Sequence, residues 1–308
     1  MKFRGSACLA LLSAAGAMLW AADDQSGVRF RSDTTLVLIP VTVTDPLNRF
    51  VLGLRKQDFH LFEGGVEQTI LQLSSEDAPL SVGMVFDRSG SMGDKLPIAR
   101  KAAFRFLTTM NKQDEAFLVD FSDRAELASR FTPDTEGIEE KLTSLEAGGL
   151  TAMLDAAQMS LAEMKNAQNP RKAIVIISDG GDNNSRYTAP EVESLVRRAD
   201  VEIYAMGVFE SPIGVPGLTT EEISGPHLLS ELARQTGGRA FSVSDPLALP
   251  NVAVRIGIEL RNQYVLAYSP KNAKRDGTYR RVEVKVDKPA GFADLKVHWR
   301  SGYYAPSR

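Results

Sequence analysis

The chain predicts an α/β fold in which a doubly wound, mostly parallel sheet is inserted between two β segments that form a small β-sandwich. Three observations predict it. From Ser81 to about Val243, short apolar runs alternate with helical patterns, the rhythm of βα units. One of those runs, "KAIVIIS" (Lys172 to Ser178), is apolar almost throughout, as a strand buried on both faces of a parallel sheet must be. On either side of this stretch the signals revert to β-branched, alternating segments, each too small to bury a core alone. Two unrelated flanking hairpins are the alternative; size favours one joint sandwich.

Taken in order, the first 22 residues read as a secretory signal peptide: Lys2 and Arg4, then "ACLALLSAAGAML", then Ala21 and Ala22 before "DD". A retained membrane anchor would need roughly 18 to 20 apolar residues, more than this run supplies. The single cysteine, Cys8, lies inside it, so the mature chain holds no thiol, which excludes disulfides, thiolate catalysis and cysteine-ligated zinc.

A first β segment, placed at residues 30–78, begins with "TTLVLIPVTVTD" (Thr34 to Asp45), bounded by the turn "DPLN". "FHLFEGG" and "VEQTILQL" follow as two strands joined by a hairpin turn at Gly64 and Gly65. The α/β stretch, placed at 79–250, opens with the strand "SVGMVF". The helix of "KLPIARKAAFRFLTTMN" comes next, with Leu96, Ala99, Ala103, Phe106, Leu107 and Met110 on one stripe and Pro97 in its first turn. "EAFLVDF", "AELASRF", a helix near Thr135 to Ser144 and a second from Ala152 to about Asn166 lead to "KAIVIIS". "EVESLVRRA", "VEIYAMG", "LLSELARQT" and "RAFSV" complete the alternation, with Gly237 and Gly238 ending the last helix. The final part, 251–308, comprises most of an amphipathic linking helix, Leu249 to Gln263, and the strands "QYVLAYS", "YRRVEVKVD" and "LKVHWR", with a turn around "RDG".

Composition narrows the function. Thirty-six Lys and Arg stand against 39 Asp and Glu with no long like-charge block, so neither a nucleic-acid groove nor a polybasic membrane patch is expected. There is no G-x-x-x-x-G-K-[ST] and no G-x-G-x-x-G after a strand, which argues against nucleotide binding.

The chemistry is concentrated where strands end. In an open α/β sheet, ligands sit at the carboxyl ends of the parallel strands. "VFDRSGSM" brings Asp87, Ser89 and Ser91 to that edge, "SDGGDNNS" brings Asp179, and the glycine-flanked "EAGGLTAMLDAA" brings Thr151. Asp and Ser also suit a plain strand-to-helix turn, since they cap and hydrogen-bond nearby backbone. Read as a site, two carboxylates and three hydroxyls select a hard cation, Mg2+ or Mn2+ (or Ca2+), and neutral hydroxyl ligands leave that cation able to attract an anionic group from outside.

Asp87-x-Ser89-x-Ser91, Thr151 and Asp179 in "ISDGGDN" resemble the metal-ion-dependent adhesion site of von Willebrand factor type A domains, over roughly Pro79 to Pro250. The flanks resemble those of bacterial exported VWFA-related proteins typical of Acidobacteria, through "IPVTVTD", "FEGGVEQ", "APLSVG", "LRNQYVLAYSP", "RDGTYRRVEVKV" and "SGYYAP". The resemblance implies a Rossmann-like sheet and hydroxyl contacts to the ion from Ser89, Ser91 and Thr151. It implies direct or water-mediated contacts from Asp87 and Asp179, and a partner Asp or Glu completing the shell. It also implies a last helix that responds to ligation. Asp94 stands where some relatives carry an acidic residue for a neighbouring ion.

The reading is an exported, non-catalytic protein-binding module, without nucleic acid or nucleotide partners and without a transmembrane span after signal cleavage. Two alternatives stand beside it: a metal-dependent hydrolase or phosphatase, and an envelope-assembly scaffold with a stabilising ion. Catalysis lacks an evident base, because His60, His227 and His298 are scattered and there is no H-E-x-x-H or G-x-S-x-G. Asp120, Asp123 and Asp182 are the remaining candidates for a base or second metal.

Overall fold

The structure is a computed structural model that describes residues 36–75, 77–208, 220–288 and 294–307. The expected signal peptide lies outside the described residues. Twelve of the strands and helices build an α/β body. β5 (Leu80–Asp87) is followed by α1 (Leu96–Leu107), β6 (Glu115–Phe121), β7 (Ala125–Thr132), α2 (Thr135–Ser144) and α3 (Met153–Glu163). Then come β8 (Arg171–Ile177), α4 (Ala189–Arg198), β9 (Glu202–Val208), α5 (Thr220–Thr236), β10 (Ala240–Val243) and α6 (Leu249–Arg261). Their sheet has the order β10-β9-β8-β5-β6-β7, parallel except for the antiparallel edge strand β7.

Strand alternation decides which helices cover which face. Val82, Met84 and Phe86 of β5 and Ala173, Val175 and Ile177 of β8 join one core with α1, α2 and α6. Val85, Ile174 and Ile176 point the other way into a second core with α3, α4 and α5. Every residue of β5 is buried, and each of its Leu, Val, Met and Phe side chains contributes roughly 1.5–3 kcal/mol. Because the chain leaves β5 toward β6 and later returns to place β8 on its other side, the carboxyl ends of β5 and β8 flank a topological switch point.

The flanking segments pair with each other. One four-stranded sheet has the order β13-β1-β11-β4, with β1 (Val37–Thr44) between β11 (Tyr264–Tyr268) and β13 (Lys296–Trp299), and β4 (Ile70–Ser74) outside β11. The other has the order β14-β12-β2-β3, formed by β2 (Phe59–Glu63), β3 (Val66–Gln68), β12 (Tyr279–Val286) and β14 (Gly302–Tyr304). Ile39, Val41 and Leu266 from the first face Leu61, Val282 and Val284 from the second in one core, the sandwich of the expected fold class. The stretch "VEQTILQL" differs from its reading as one strand: it changes sheets at Thr69, with Val66–Gln68 pairing β2 and Ile70–Ser74 pairing β11. Gly64 and Gly65, at φ +56° and +81°, make the turn between β2 and β3.

Two further differences concern helices. α5 begins at Thr220, earlier than the expected "LLSELARQT", and holds Pro226 and His227 inside it. α6 packs Leu249, Ala253, Ile256 and Leu260 into the core shared with α1, so by packing it is part of the α/β body. β11 follows it directly, and Gln263 in the short link donates to Glu202 Oε2 (2.5 Å) and the Tyr204 hydroxyl (3.1 Å). Arg239 pairs with Glu259 at 3.0 Å, and Arg255 reaches the Asn48 carbonyl at 2.7 Å, closing a buried polar seam between body and sandwich.

Candidate functional site

Asp87 ends β5 fully buried, at 0% exposure. Its Oδ1 accepts the Ser89 N–H (2.8 Å) and its Oδ2 accepts the Ser178 hydroxyl (2.6 Å), while Ser178 Oγ in turn accepts the Gly180 N–H (3.0 Å). The tight turn after the strand sets Ser89 and Ser91 on one side, with their hydroxyl oxygens 3.1 Å apart. Ser91 donates to Asp179 Oδ1 at 3.2 Å, and Lys95 Nζ lies 2.9 Å from Asp179 Oδ2. Asp87, Ser89, Ser91 and Asp179 thus form one connected cluster at the switch point.

Thr151 joins through its loop. Gly90 N–H donates to the Gly149 carbonyl (3.0 Å) and Gly148 N–H to the Arg88 carbonyl (2.9 Å), lacing the loop before α3 to the turn after β5. Gly149 holds φ +81°, and a Cβ there would strike the Asp123 carboxylate, which accepts the Leu150 N–H at 2.8 Å. On its other side, Thr151 donates its N–H to Asn183 Oδ1 (2.9 Å), and its carbonyl accepts the N–H groups of Asn183 and Asn184 (each 3.0 Å). Asp182 accepts the Leu154 N–H at the start of α3 (2.7 Å), and Asp155 accepts the Arg186 N–H (2.9 Å), so the loop after β8 is clamped to α3.

Electrostatically, two carboxylates share one corner, Asp87 fully buried and the Asp179 side chain 9% exposed. Burial, together with the nearby charge of Asp179, pushes Asp87 up to about 6, against the opposing hydrogen bonds from Ser178 and Ser89. A buried carboxylate that is costly to ionise alone is one that a cation would stabilise.

The donor set fits a small hard ion. Octahedral Mg2+ with oxygens at about 2.0–2.1 Å places adjacent ligands about 3 Å apart. The separations here, Ser89 to Ser91 and Ser91 to Asp179, are 3.1 and 3.2 Å. Among the described residues, no group of three or more histidine, cysteine, aspartate or glutamate side chains gathers as a metal site, so an ion at this corner would depend on the hydroxyls.

The other candidates fall into structural places. Arg88, the bulky residue between Asp87 and Ser89, turns inward to pair with Asp120 at 2.5 Å. Asp120, Asp123 and Asp182 are each engaged, with Arg88, the Leu150 N–H and the α3 start respectively. Asp94 is exposed. His60 lies on the sandwich between Glu67 (2.9 Å) and Asp287 (3.2 Å), and His298 lies on β13. Two residues of the cluster, Ser178 and Lys95, are missed by sequence reasoning. Ser178 had a signal, as a hydroxyl closing an apolar strand next to Asp179; Lys95 had the weaker one of standing four residues after Ser91.

Comparison with known proteins bears on this arrangement. Residues 82–181 match the family model described as "von Willebrand factor type A domain". A curated relative, an uncharacterized protein of Borreliella burgdorferi, is 24% identical over 188 residues, 54% of this chain and 55% of its own length. The chain therefore spans about half the length of that relative. Among solved structures, a von Willebrand factor type A protein from Catenulispora acidiphila superposes with a TM-score of 0.52 at 14% identity, covering 90% of this chain and 74% of its own. Proximal thread matrix protein 1 of the mussel byssus gives 0.51 at 18% identity, over 65% of this chain and 51% of its own. These likenesses are of fold.

Proposed function

The chain carries a von Willebrand factor type A domain, and from that premise we propose that it is an exported, non-catalytic binding module. It would hold Mg2+ through Asp87, Ser89, Ser91, Thr151 and Asp179 and capture an Asp or Glu side chain of a protein partner. The observation that carries this reading is the buried Asp87 carboxylate beside two hydroxyls and a second carboxylate at octahedral spacing. When bound, the ion supplies a positive centre to which an outside carboxylate can bind.

The chain's own residues do the rest. Asp87 anchors the site from within the sheet, its two oxygens oriented by the Ser89 N–H and the Ser178 hydroxyl. Ser89 and Ser91 offer neutral oxygens, so the site gains ligands without gaining negative charge. Ser91 and Gly90 are exposed, which leaves the outer side of the cluster open to a partner. A non-catalytic role is in keeping with Asp120, Asp123 and Asp182, whose hydrogen bonds to Arg88, the Leu150 N–H and the Leu154 N–H give each a structural place. Export rests on the first 22 residues and belongs to the same proposal. Among the described residues, no helix is long and apolar enough to cross a membrane.

The test is Mn2+ binding followed by electron paramagnetic resonance and water-proton relaxation. Asp87→Ala combined with Ser89→Ala should lower affinity by more than about 100-fold while circular dichroism stays native. An acidic peptide should displace bound water from the wild-type ion and reduce relaxivity, whereas its amide counterpart should not. Equal Mn2+ binding by both proteins, or none by wild type, would remove the metal reading.

A further inference from the structure

We propose that Lys95 is a resident cation of this site, which neutralises Asp179 and thereby holds down divalent-ion affinity while preserving the bound ion's attraction for an outside carboxylate. This rests on the metal reading above.

The geometry is specific. Both oxygens of Asp179 are held from the turn after β5: Oδ1 by Ser91 at 3.2 Å and Oδ2 by Lys95 Nζ at 2.9 Å. The Asp179 side chain is 9% exposed and that of Lys95 23%, so the pair is shielded from the screening that makes open surface pairs weak. The Lys95 backbone is fixed as well. Its N–H donates to the Met92 carbonyl (2.9 Å), and its carbonyl accepts the Ala99 N–H (3.0 Å) at the start of α1. Arg88, the other basic residue of the turn, faces away to Asp120.

Charge then decides the behaviour. Asp87, Asp179 and Lys95 together leave one net negative charge, which a divalent ion converts to one net positive. Without Lys95, two carboxylates would bind the same ion more tightly but leave the complex neutral, with less pull on a partner's carboxylate. Lys95 therefore trades ion affinity for ligand affinity.

Mn2+ titration of wild type, Lys95→Gln and Lys95→Arg at one fixed ionic strength tests this, with acetate as the carboxylate probe read by water-proton relaxation. Lys95→Gln should bind Mn2+ about tenfold tighter or more and respond to acetate more weakly, while Lys95→Arg should stay near wild type. If Lys95→Gln does not fold, Lys95→Met gives the same readout. Wild type that binds Mn2+ with a neutral variant no tighter overturns the inference and leaves the metal reading standing. So does an equal gain in Lys95→Arg, because charge would then not be the cause. Failure of all the proteins to bind Mn2+ overturns both.

Discussion

The six-stranded sheet carries a buried polar cluster at each end, and the two are built on opposite plans. At the carboxyl ends of β5 and β8, Asp179 pairs with the one ammonium there, Lys95, while Asp87 has only the Ser89 N–H and the Ser178 hydroxyl, beside exposed Ser91. At the other end, where β8 and β9 begin, Glu202, Tyr204, Glu259, Arg239, Arg171 and Gln263 bond to one another. Glu259 meets a guanidinium, Glu202 meets the Gln263 amide, and Arg171 also donates to the Leu260 carbonyl. The seam is closed, with its partners supplied by the chain. The corner at Asp87 is short of positive charge and open on one side, as the proposed cation site requires. Buried polarity alone does not mark a functional site; incomplete internal pairing does.

The closed seam is most open to disruption at Arg239. Its guanidinium is 3.0 Å from Glu259, with side-chain exposures of 13% and 0%, and it also stacks over Phe241 at 4.7 Å. Arg239→Ala would strand Glu259 in the interior, a loss on the order of 3–5 kcal/mol. Adding Glu259→Met should restore most of it, because an apolar residue of similar length needs no partner. Urea unfolding of the two variants measures both effects. A loss below about 1 kcal/mol in the single variant would mean that the seam is not the closed unit described.

A smaller effect separates the seam by pH. Burial pushes the Glu202 carboxyl up to about 7 from its ordinary 4.5, with Arg171 and the Gln263 amide opposing the rise and Glu259 adding to it. A folded-state value above the unfolded one means that folding takes up a proton. Glu202 therefore favours the fold fully below about 4.5, and that contribution is lost as pH rises through about 7, by up to about 3 kcal/mol. His298 acts in the opposite sense, since burial lowers it to about 4 and its contribution is lost on acidification. Subtracting the stability of Glu202→Gln from that of wild type, both in chelator from pH 4.5 to 8, isolates the glutamate. The difference should fall with pH and level off above about 7. A flat or rising difference contradicts the assignment.

Much of this was legible in the residues because it depends on period and strand ends. β5 and β8 are apolar runs whose alternate residues serve two cores, and the polar residues that follow them necessarily arrive at one edge. Asp87, Ser89, Ser91 and Asp179 meet there in direct hydrogen bonds, and Thr151 arrives through its glycine loop. What was not legible depends on neighbours distant in sequence. Ser178 orients Asp87 across 91 positions, and Lys95 meets Asp179 across 84. The change of sheet at Thr69 leaves no mark on the alternation of "VEQTILQL", because period fixes which face a residue takes and not which strand pairs with it. The early start of α5 was not legible, because Gly225 and Pro226, both poor helix formers, lie inside the helix.

That glycine gives the smallest and sharpest distinction. A Cβ on Gly225 would run into the backbone carbonyl of Gly180, which would have to shift to admit it. Gly180 donates its N–H to Ser178 Oγ, and Ser178 holds Asp87 Oδ2, so pressure from α5 reaches the corner through two hydrogen bonds. Gly225→Ala should cost about 1–3 kcal/mol by overpacking. It should also weaken Mn2+ binding several-fold, because the Asp87 carboxylate loses its orientation. Gly181→Ala is the control: a Cβ there meets nothing within 4 Å, and stability should change by no more than about 0.5 kcal/mol. The seam predicts its own independence from this perturbation, since its partners all lie at the other end of the sheet. If Gly225→Ala lost stability with Mn2+ affinity intact, the corner would be buffered from α5, and the contrast between an open end and a closed one would have to rest on charge alone.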